Sequence, residues 1–433
     1  MDHMSMMRLT AAGDAMVFRR LAGEYPGFGA LRDFIGRGDF RFLNLETTVH
    51  RHETFGAAVS GGSWFCAAPE VLEDMRAFGF NALSTANNHA MDYSHAGLLA
   101  TLRYIRAAGF NCAGTGASMP EAAAPAYVDT PAGRFVLIAA SSSFHPDAIA
   151  GNPARGVPAR PGLNAIRFDT VYQLPPEQME QLRAIADGIR INAADDIYRA
   201  QGYRPALKEG VTPFGTLRFE TADAPGNRTA VNETDMRRTE RSISEARFMA
   251  DCVVVAIHSH EFAGRSLEEP ADFLVQFAHR CIDAGADAVI GTGPHLLRPI
   301  EIYKGRPIFY SLGDFIIQLE TIANAPADMY EKQGLAPDAG LDALFENRSG
   351  GGKHGLYYDP VMFETVVPFW AYEDGALCRL ELLPVELNFG APRSTGGWPR
   401  PKPDAGILER LAGMSEAFGT KIRIEDGIGV VEL

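Results

Sequence analysis

Apolar positions along the chain fall into short blocks whose spacing alternates between strand-like and helix-like. Residues 9–12 are a short apolar segment, an irregular stretch follows, residues 31–35 carry helical spacing, and residues 40–45 read as a buried strand. The unit repeats with helical spacing over 69–78, a short strand over 81–84, and an amphipathic helix over 96–108 that Gly109 stops. Residues 134–140 add a further apolar strand. This order of strand and helix implies a layered α/β fold with helices packed on sheets.

The pattern then breaks. Residues 144–230 are rich in Pro, Gly, Asn and Arg, with a clear helical pattern only over 176–191, and read as an insertion or lid over the site. Regularity returns with a helix over 233–250, a strongly apolar strand over 252–257, a helix over 271–284 and a strand over 288–290. After a second irregular stretch, 323–358, residues 361–370 and 376–387 are rich in β formers, and Glu373, Asp374 and Gly375 between them suit a hairpin. A helix over 405–418 and a short terminal strand complete the chain. With no internal repeat and no clean linker, the expectation is one domain over 1–433, closed by the strands and helix of 361–433.

Composition narrows the functional classes. A chain of 433 residues that is 46% hydrophobic can bury a large core, and 40 basic against 54 acidic residues, a net charge of -14, works against gripping nucleic acid or an anionic membrane. Five cysteines without CxxC or paired spacing are what a reduced cytoplasmic protein would carry. Residues 1–18 hold no basic segment followed by a long apolar run, so neither a signal peptide nor a membrane anchor is expected, and the expected location is the cytoplasm.

Chemistry-bearing residues gather directly after the apolar strands, where loops at the carboxyl ends of strands collect ligands. Asp14 follows residues 9–12; Asn44 and Glu46 follow 40–43; Asn87, Asn88 and His89 follow 82–84. His258 and His260 follow 253–257, and His295 follows Val289 and Ile290 through the string GTGPH. Carboxylate, amide and imidazole groups at one edge are what one or two divalent ions need, with Mn, Zn and Fe all compatible with mixed nitrogen and oxygen ligands. Taken singly, each has a structural alternative: Asp14 after glycine suits a turn or cap, Asn87 or Asn88 an N-cap, and His295 after Pro294 a structural histidine.

The strings NLETTV, STANNHAMDYSHAGLLATLRYIRAAGFNCAGTG and DAGADAVIGTGPHLLRPIEIYKGRPIFYSLGDF together resemble the CapA family of bacterial capsule-synthesis (poly-γ-glutamate synthesis) proteins, within the calcineurin-like metallophosphoesterase superfamily. The resemblance runs from about residue 8 to 315 and implies a four-layer α/β/β/α sandwich with a two-metal centre. By position, it implies Asp14 as the opening ligand, Glu46 in place of the bridging acid, Asn88 as the amide ligand, and His258 and His295 as imidazole ligands. It also implies His89 as the group that stabilises or protonates the leaving group, oriented by Asp92. Four departures stand out. Gly293-Pro294-His295 replaces His-Pro-His, and Asp14-Ala15-Met16 replaces Asp-x-His. His258-Ser259-His260-Glu261 replaces His-Trp-Gly followed by Glu, so that His260 or Glu261 fills a vacated position, and Asp314 stands where an asparagine is usual. Two fewer imidazoles imply one tight metal site and one weak or substrate-completed site.

The expected function is a hydrolase that uses a metal-activated water on an amide, γ-glutamyl or peptide-like, or on a phosphoester. The expected substrate is a small or peptide-like anion, contacted by Arg155 and Arg160, with Arg167 nearby in the string ARGVPARPGLNAIR, and by Glu261 and Asp314. The alternative is a metal-free binding or assembly protein of capsule synthesis.

Overall fold

The structure is a computed structural model that describes residues 6–433 apart from 22, 323 and 404. The opening residues 1–5, part of the segment read for a leader, and residue 323 of the second irregular stretch therefore lie outside the described residues.

Two large sheets carry the fold. In the first, Met6–Met16 is flanked on one side by the parallel strands Phe40–Leu45, Ala82–Ser84 and Asn111–Ala113. On its other side lies the antiparallel hairpin Glu364–Glu373 and Ala376–Glu386, followed by Ile428–Val431 and Ile422–Glu425. The second sheet runs in the order Leu297–Tyr303, Arg306–Leu312, Ala288–Thr292, Cys252–His258, Gly133–Ser141, Ala126–Thr130.

Side-chain parity shows how the sheets stack. Along Cys252–His258, Cys252, Val254 and Ala256 enter one core with Phe135, Leu137 and Ala139, and the same core takes Leu9, Ala11, Phe40 and Phe42 from the first sheet. It is therefore the layer between the sheets. The alternate residues Val253, Val255 and Ile257 face outward to Met236, Ile243, Phe273 and Phe277 on the helices Glu233–Arg247 and Asp272–Asp283. On the first sheet, Leu43 and Leu45 face a third core with Leu31, Ile35, Val71 and Met75 of the helices Phe28–Ile35 and Val71–Ala77. Burial on both faces explains why these parallel strands read as unbroken apolar runs.

Most expected elements are present with ends moved by a few residues. The first strand is longer than its apolar core, spanning Met6–Met16. The hairpin turns at Asp374 and Gly375, both at positive φ (48° and 81°), the geometry of a two-residue turn matched to strand twist. Residues 361–363 are a 3-10 turn, Pro360–Phe363, capped by the Asp359 side chain, rather than the start of the strand. The largest difference lies in 144–230, which holds a second helix, Ala193–Ala200, and a four-stranded sheet of Thr212–Phe214, Leu217–Thr221, Phe168–Leu174 and Gly226–Val231. These strands are half-exposed; Gly226–Val231 has no apolar face, and the alternation in Phe168–Leu174 and Leu217–Thr221 is short. Among the described residues no helix is long and apolar enough to cross a membrane.

Candidate metal centre and its cavity

Strand pairing brings the candidate residues together. Asp14 sits opposite Asn44 on one neighbour and opposite Asp314 on the other, so the three side chains share a face of the first sheet. Asn44 has the parity of Phe40 and Phe42, which makes that face the one turned towards the second sheet. There His258 has the parity of Val254 and Ala256 and pairs with Thr292 and Ser141. Apolar residues fill the space between the sheets, and at the carboxyl edge the filling changes to carboxylate, amide and imidazole.

The backbone is specialised at this edge. The register slips between Ala12 and Asp14, and a Cβ on Gly13 would stand 1.9 Å from the Gly313 carbonyl oxygen, so only glycine lets the two segments approach this closely. The Asp14 amide donates to that same carbonyl at 2.9 Å. His295 is held at φ 60°, a left-handed conformation rare for a non-glycine residue and typical of functional positions.

Hydrogen bonds fix the side chains. Asp14 accepts from the Asn44 amide at 2.5 Å and from the Gly293 N–H at 2.8 Å. His258 places Nδ1 3.0 Å from Thr292 Oγ1 and Nε2 2.8 Å from Asn88 Oδ1 and 3.1 Å from His260 Nε2. His295 Nδ1 lies 2.9 Å from Asp314 Oδ1. His89 Nδ1 lies 2.6 Å from Asp92 Oδ2, which also accepts the Phe65 N–H at 2.7 Å, while Asp92 Oδ1 accepts the Gly61 N–H at 2.9 Å. The Phe65 ring stacks on His89 at 3.6 Å. With Nδ1 turned to a carboxylate that two backbone amides already hold, the His89 ring is fixed and its Nε2 faces Glu46 Oε1 at 3.8 Å.

Both Glu46 oxygens, Asp314 Oδ2 and Asn44 Oδ1 are buried and accept no hydrogen bond among the described residues. Leaving buried carboxylate oxygens uncompensated costs several kcal/mol, of order 1–3 per group and more when charged. Burial, with Asp14, Asp314 and Asp92 nearby, pushes the Glu46 carboxyl well above the usual range. Burial also raises Asp314 to about 6 against the pull of His295. Asp14 differs: burial opposes its charge, but His258, His295 and the Asn44 amide together hold it below the ordinary value. Burial and the neighbouring imidazoles of His258 and His295 keep His260 well below the usual histidine range, which favours its neutral imidazole.

Two overlapping groups, Asp14–Glu46–His295–Asp314 and Glu46–His260–His295, each bring one ligand atom per residue within 4.8 Å of one another. Metal–ligand bonds of about 2.0–2.2 Å place ligand atoms up to about 4.4 Å apart, so small side-chain adjustments close either group on a cation. The donor set and the orphaned oxygens fit a divalent ion. Asp314, expected from sequence at the substrate, falls in this cluster. Asn88 and His258, expected as ligands, hydrogen-bond each other at its edge.

Beside the cluster is a cavity of about 430 Å³, onto which Asn88, His89, His260 and His295 open. Its opposite wall comes from Phe345, Arg348, Ser349 and 354–357. No residue of 144–230, the segment expected as an insertion or lid, lines this cavity, whereas residues of the second irregular stretch do. The expected substrate arginines lie elsewhere. Arg155 is exposed, Arg160 donates to the Ile149 carbonyl at 2.9 Å, and Arg167 is paired with Asp235. Glu261 accepts from the hydroxyls of Ser142, Ser143 and Ser259 and braces the turn that carries His260, rather than facing the cavity. Thr292 and Arg348 carried no sequence signal, the first inside an apolar strand and the second inside an irregular, polar stretch.

Facing strand ends that supply carboxylates and imidazoles to one cluster define an α/β protein with a candidate metal site. The family model for bacterial capsule synthesis protein PGA_cap matches residues 8–319, and the chain belongs to that family. It is 36% identical over 439 aligned positions to the protein named uncharacterized protein y4sH of Sinorhizobium fredii, covering 98% of this chain and 93% of that one. It is 28% identical over 287 residues to a probable polyglutamine synthesis accessory protein of Mycobacterium tuberculosis, covering 66% of this chain and 57% of that protein. A segment of 113 residues, 25% of this chain and 28% of the relative, is 48% identical to the PGA biosynthesis protein CapA of Bacillus subtilis.

Proposed function

We propose that the protein is a metal-dependent hydrolase of the cytoplasm, built on the four-layer α/β/β/α sandwich of the metallophosphoesterases, that cuts an amide or phosphoester bond in a small anionic substrate. The observation that carries this reading is the set of buried, hydrogen-bond-free oxygens on Glu46 and Asp314 inside a cluster of ligand-type side chains. The stacked cores, helices against sheet, sheet against sheet, sheet against helices, support the sandwich.

Glu46 and His295, common to both ligand groups, would hold the cation together with Asp14 and Asp314 or with His260. A divalent ion supplies an acidified water and neutralises charge developing on the attacked group. His89 opens on the cavity with Nδ1 fixed by Asp92, so Nε2 is the position from which a proton passes to a leaving group. Asp92 acts through His89 as a positioning residue. Two relatives carry names that refer to PGA and polyglutamine synthesis, which favours a γ-glutamyl or peptide-like amide over a phosphoester. A metal-free assembly role has no use for four ionisable side chains packed at one strand edge with both Glu46 oxygens and Asp314 Oδ2 lacking donors.

The test is turnover of γ-glutamyl-p-nitroanilide and bis(p-nitrophenyl) phosphate by protein stripped with EDTA and reloaded with Mn, Zn or Fe. Turnover restored by an ion, and lowered about 10²–10⁴-fold in His89→Gln at unchanged metal content, supports the reading. Turnover indifferent to chelation contradicts it.

A further inference from the structure

The wall of the cavity opposite the strand-end cluster carries an arginine in an unusual setting. Arg348 lies in the last turn of the helix Leu341–Ser349, half-buried, and lines the same cavity as His89, His260 and His295. Among the described residues no carboxylate, carbonyl or aromatic ring receives its guanidinium. Arginines on either side of it in burial are engaged: the exposed Arg393 pairs with Asp342 and Glu320, and the fully buried Arg298 donates to the carbonyls of Leu267 and Ser259. Burial without a paired acid also pulls the Arg348 guanidinium below the ordinary arginine value, against a small upward effect of the Tyr357 hydroxyl. A partly desolvated cation facing a cavity is set to take a charge-assisted, two-pronged pair with a planar or tetrahedral anion, and the low local dielectric makes that pair worth more than at an exposed surface.

The surroundings of Arg348 define the rest of the ligand. Phe345, Leu356, Tyr357 and Met362 line the cavity, with Phe345 and Tyr357 in edge contact at 5.3 Å. A volume of about 430 Å³ is that of a small-molecule site. The candidate ligands all fall within residues 8–319, the span matched by the family model, whereas this wall lies beyond it. The bond-cutting side belongs to the family span, and the recognising side to a segment outside it.

We propose that Arg348 is the anion-recognising residue of this cavity, and that its ligand is a small molecule with a carboxylate or phosphate at one end and an apolar body packed on this wall, its other end directed to the strand-end cluster. The proposal rests on the hydrolase reading for what happens at the cluster, and on the cavity alone for binding. Calorimetric titration of the full chain with 4-phenylbutyrate, phenyl phosphate and the uncharged 4-phenylbutyramide tests it, with metal content measured on the same samples. Wild type is expected to bind at least one anion more tightly than the amide by about tenfold or more, the worth of a charged hydrogen-bonded pair. Whichever anion is preferred separates carboxylate from phosphate ligands. Arg348→Gln is expected to erase the preference at unchanged metal content, and Arg348→Lys to retain part of it. Equal binding of amide and anion by wild type, no binding of either anion at millimolar concentration, or an undiminished preference in folded Arg348→Gln overturns the proposal. An Arg348-dependent preference in protein that never takes up metal would leave it standing while the hydrolase reading falls; metal-dependent turnover without any anion preference would do the reverse.

Discussion

Asp314→Asn should make the metal-free protein more stable and the metal-loaded protein less so. Asp314 is fully buried, pairs in register with Asp14, and has one oxygen 2.9 Å from His295 Nδ1 and the other without a donor. Its carboxyl is raised from 3.8 to about 6, chiefly by burial and also by Asp14. A raised carboxyl favours folding fully below the unfolded value and loses that contribution as pH climbs through the folded value, so the loss falls between pH 3.8 and about 6. About 2 units at 1.36 kcal/mol each amounts to roughly 3 kcal/mol lost by pH 7.5 in the absence of metal. Asparagine keeps an acceptor for His295 and forfeits about 1 kcal/mol of charge assistance, leaving a net gain of about 2 kcal/mol. Saturating metal reverses the order, because a ligand at a hundredfold its Kd stabilises wild type by about 2.7 kcal/mol. Urea unfolding followed by tryptophan fluorescence, in EDTA and in excess Mn, reads both effects, and the EDTA difference should shrink at pH 5. A variant less stable than wild type in EDTA, or one that gains as much from Mn, would refute the reasoning.

Two further outcomes follow from parts of the fold outside the cluster. The His50 side chain is buried against the Tyr93 ring at 4.8 Å and Cys66 Sγ at 3.5 Å, and burial, assisted by His52, lowers it from 6.5 to about 4. A depressed histidine gives stability that is whole above pH 6.5 and lost as pH falls towards 4, up to about 3 kcal/mol, so urea midpoints at pH 7.5 and 4.5 should converge in His50→Gln; an unchanged pH slope would refute this. Gly13→Ala, with its Cβ against the Gly313 carbonyl, should cost about 3 kcal/mol, whereas Gly23→Ala, which meets nothing within 4 Å, should stay within about 0.5 kcal/mol by thermal unfolding.

The doubly buried strands were legible because burial on both faces leaves an unbroken apolar run, as in Cys252–His258, and the ligands were legible because polarity returns abruptly where such a run ends. The sheet of 168–231 was not legible, since a half-exposed strand such as Gly226–Val231 has no apolar face to alternate. Asp314 was legible as a departure from the family string, but its place in the cluster depends on register with Asp14 some 300 positions earlier. The arginines of 155–167 have composition without geometry: each has a local partner or faces solvent, whereas Arg348 sits in a polar stretch without a motif and faces the cavity.

Whether facing strand ends hold a divalent cation is decided by elemental analysis of protein purified without chelator, beside a Glu46→Gln, His295→Ala double variant whose fold is confirmed by circular dichroism. Those two residues are common to both ligand groups. Stoichiometric Mn, Zn or Fe in wild type and its loss in the variant is the expected result; no bound metal in wild type after incubation with each ion, or equal content in the two proteins, would exclude a metal centre built on these residues.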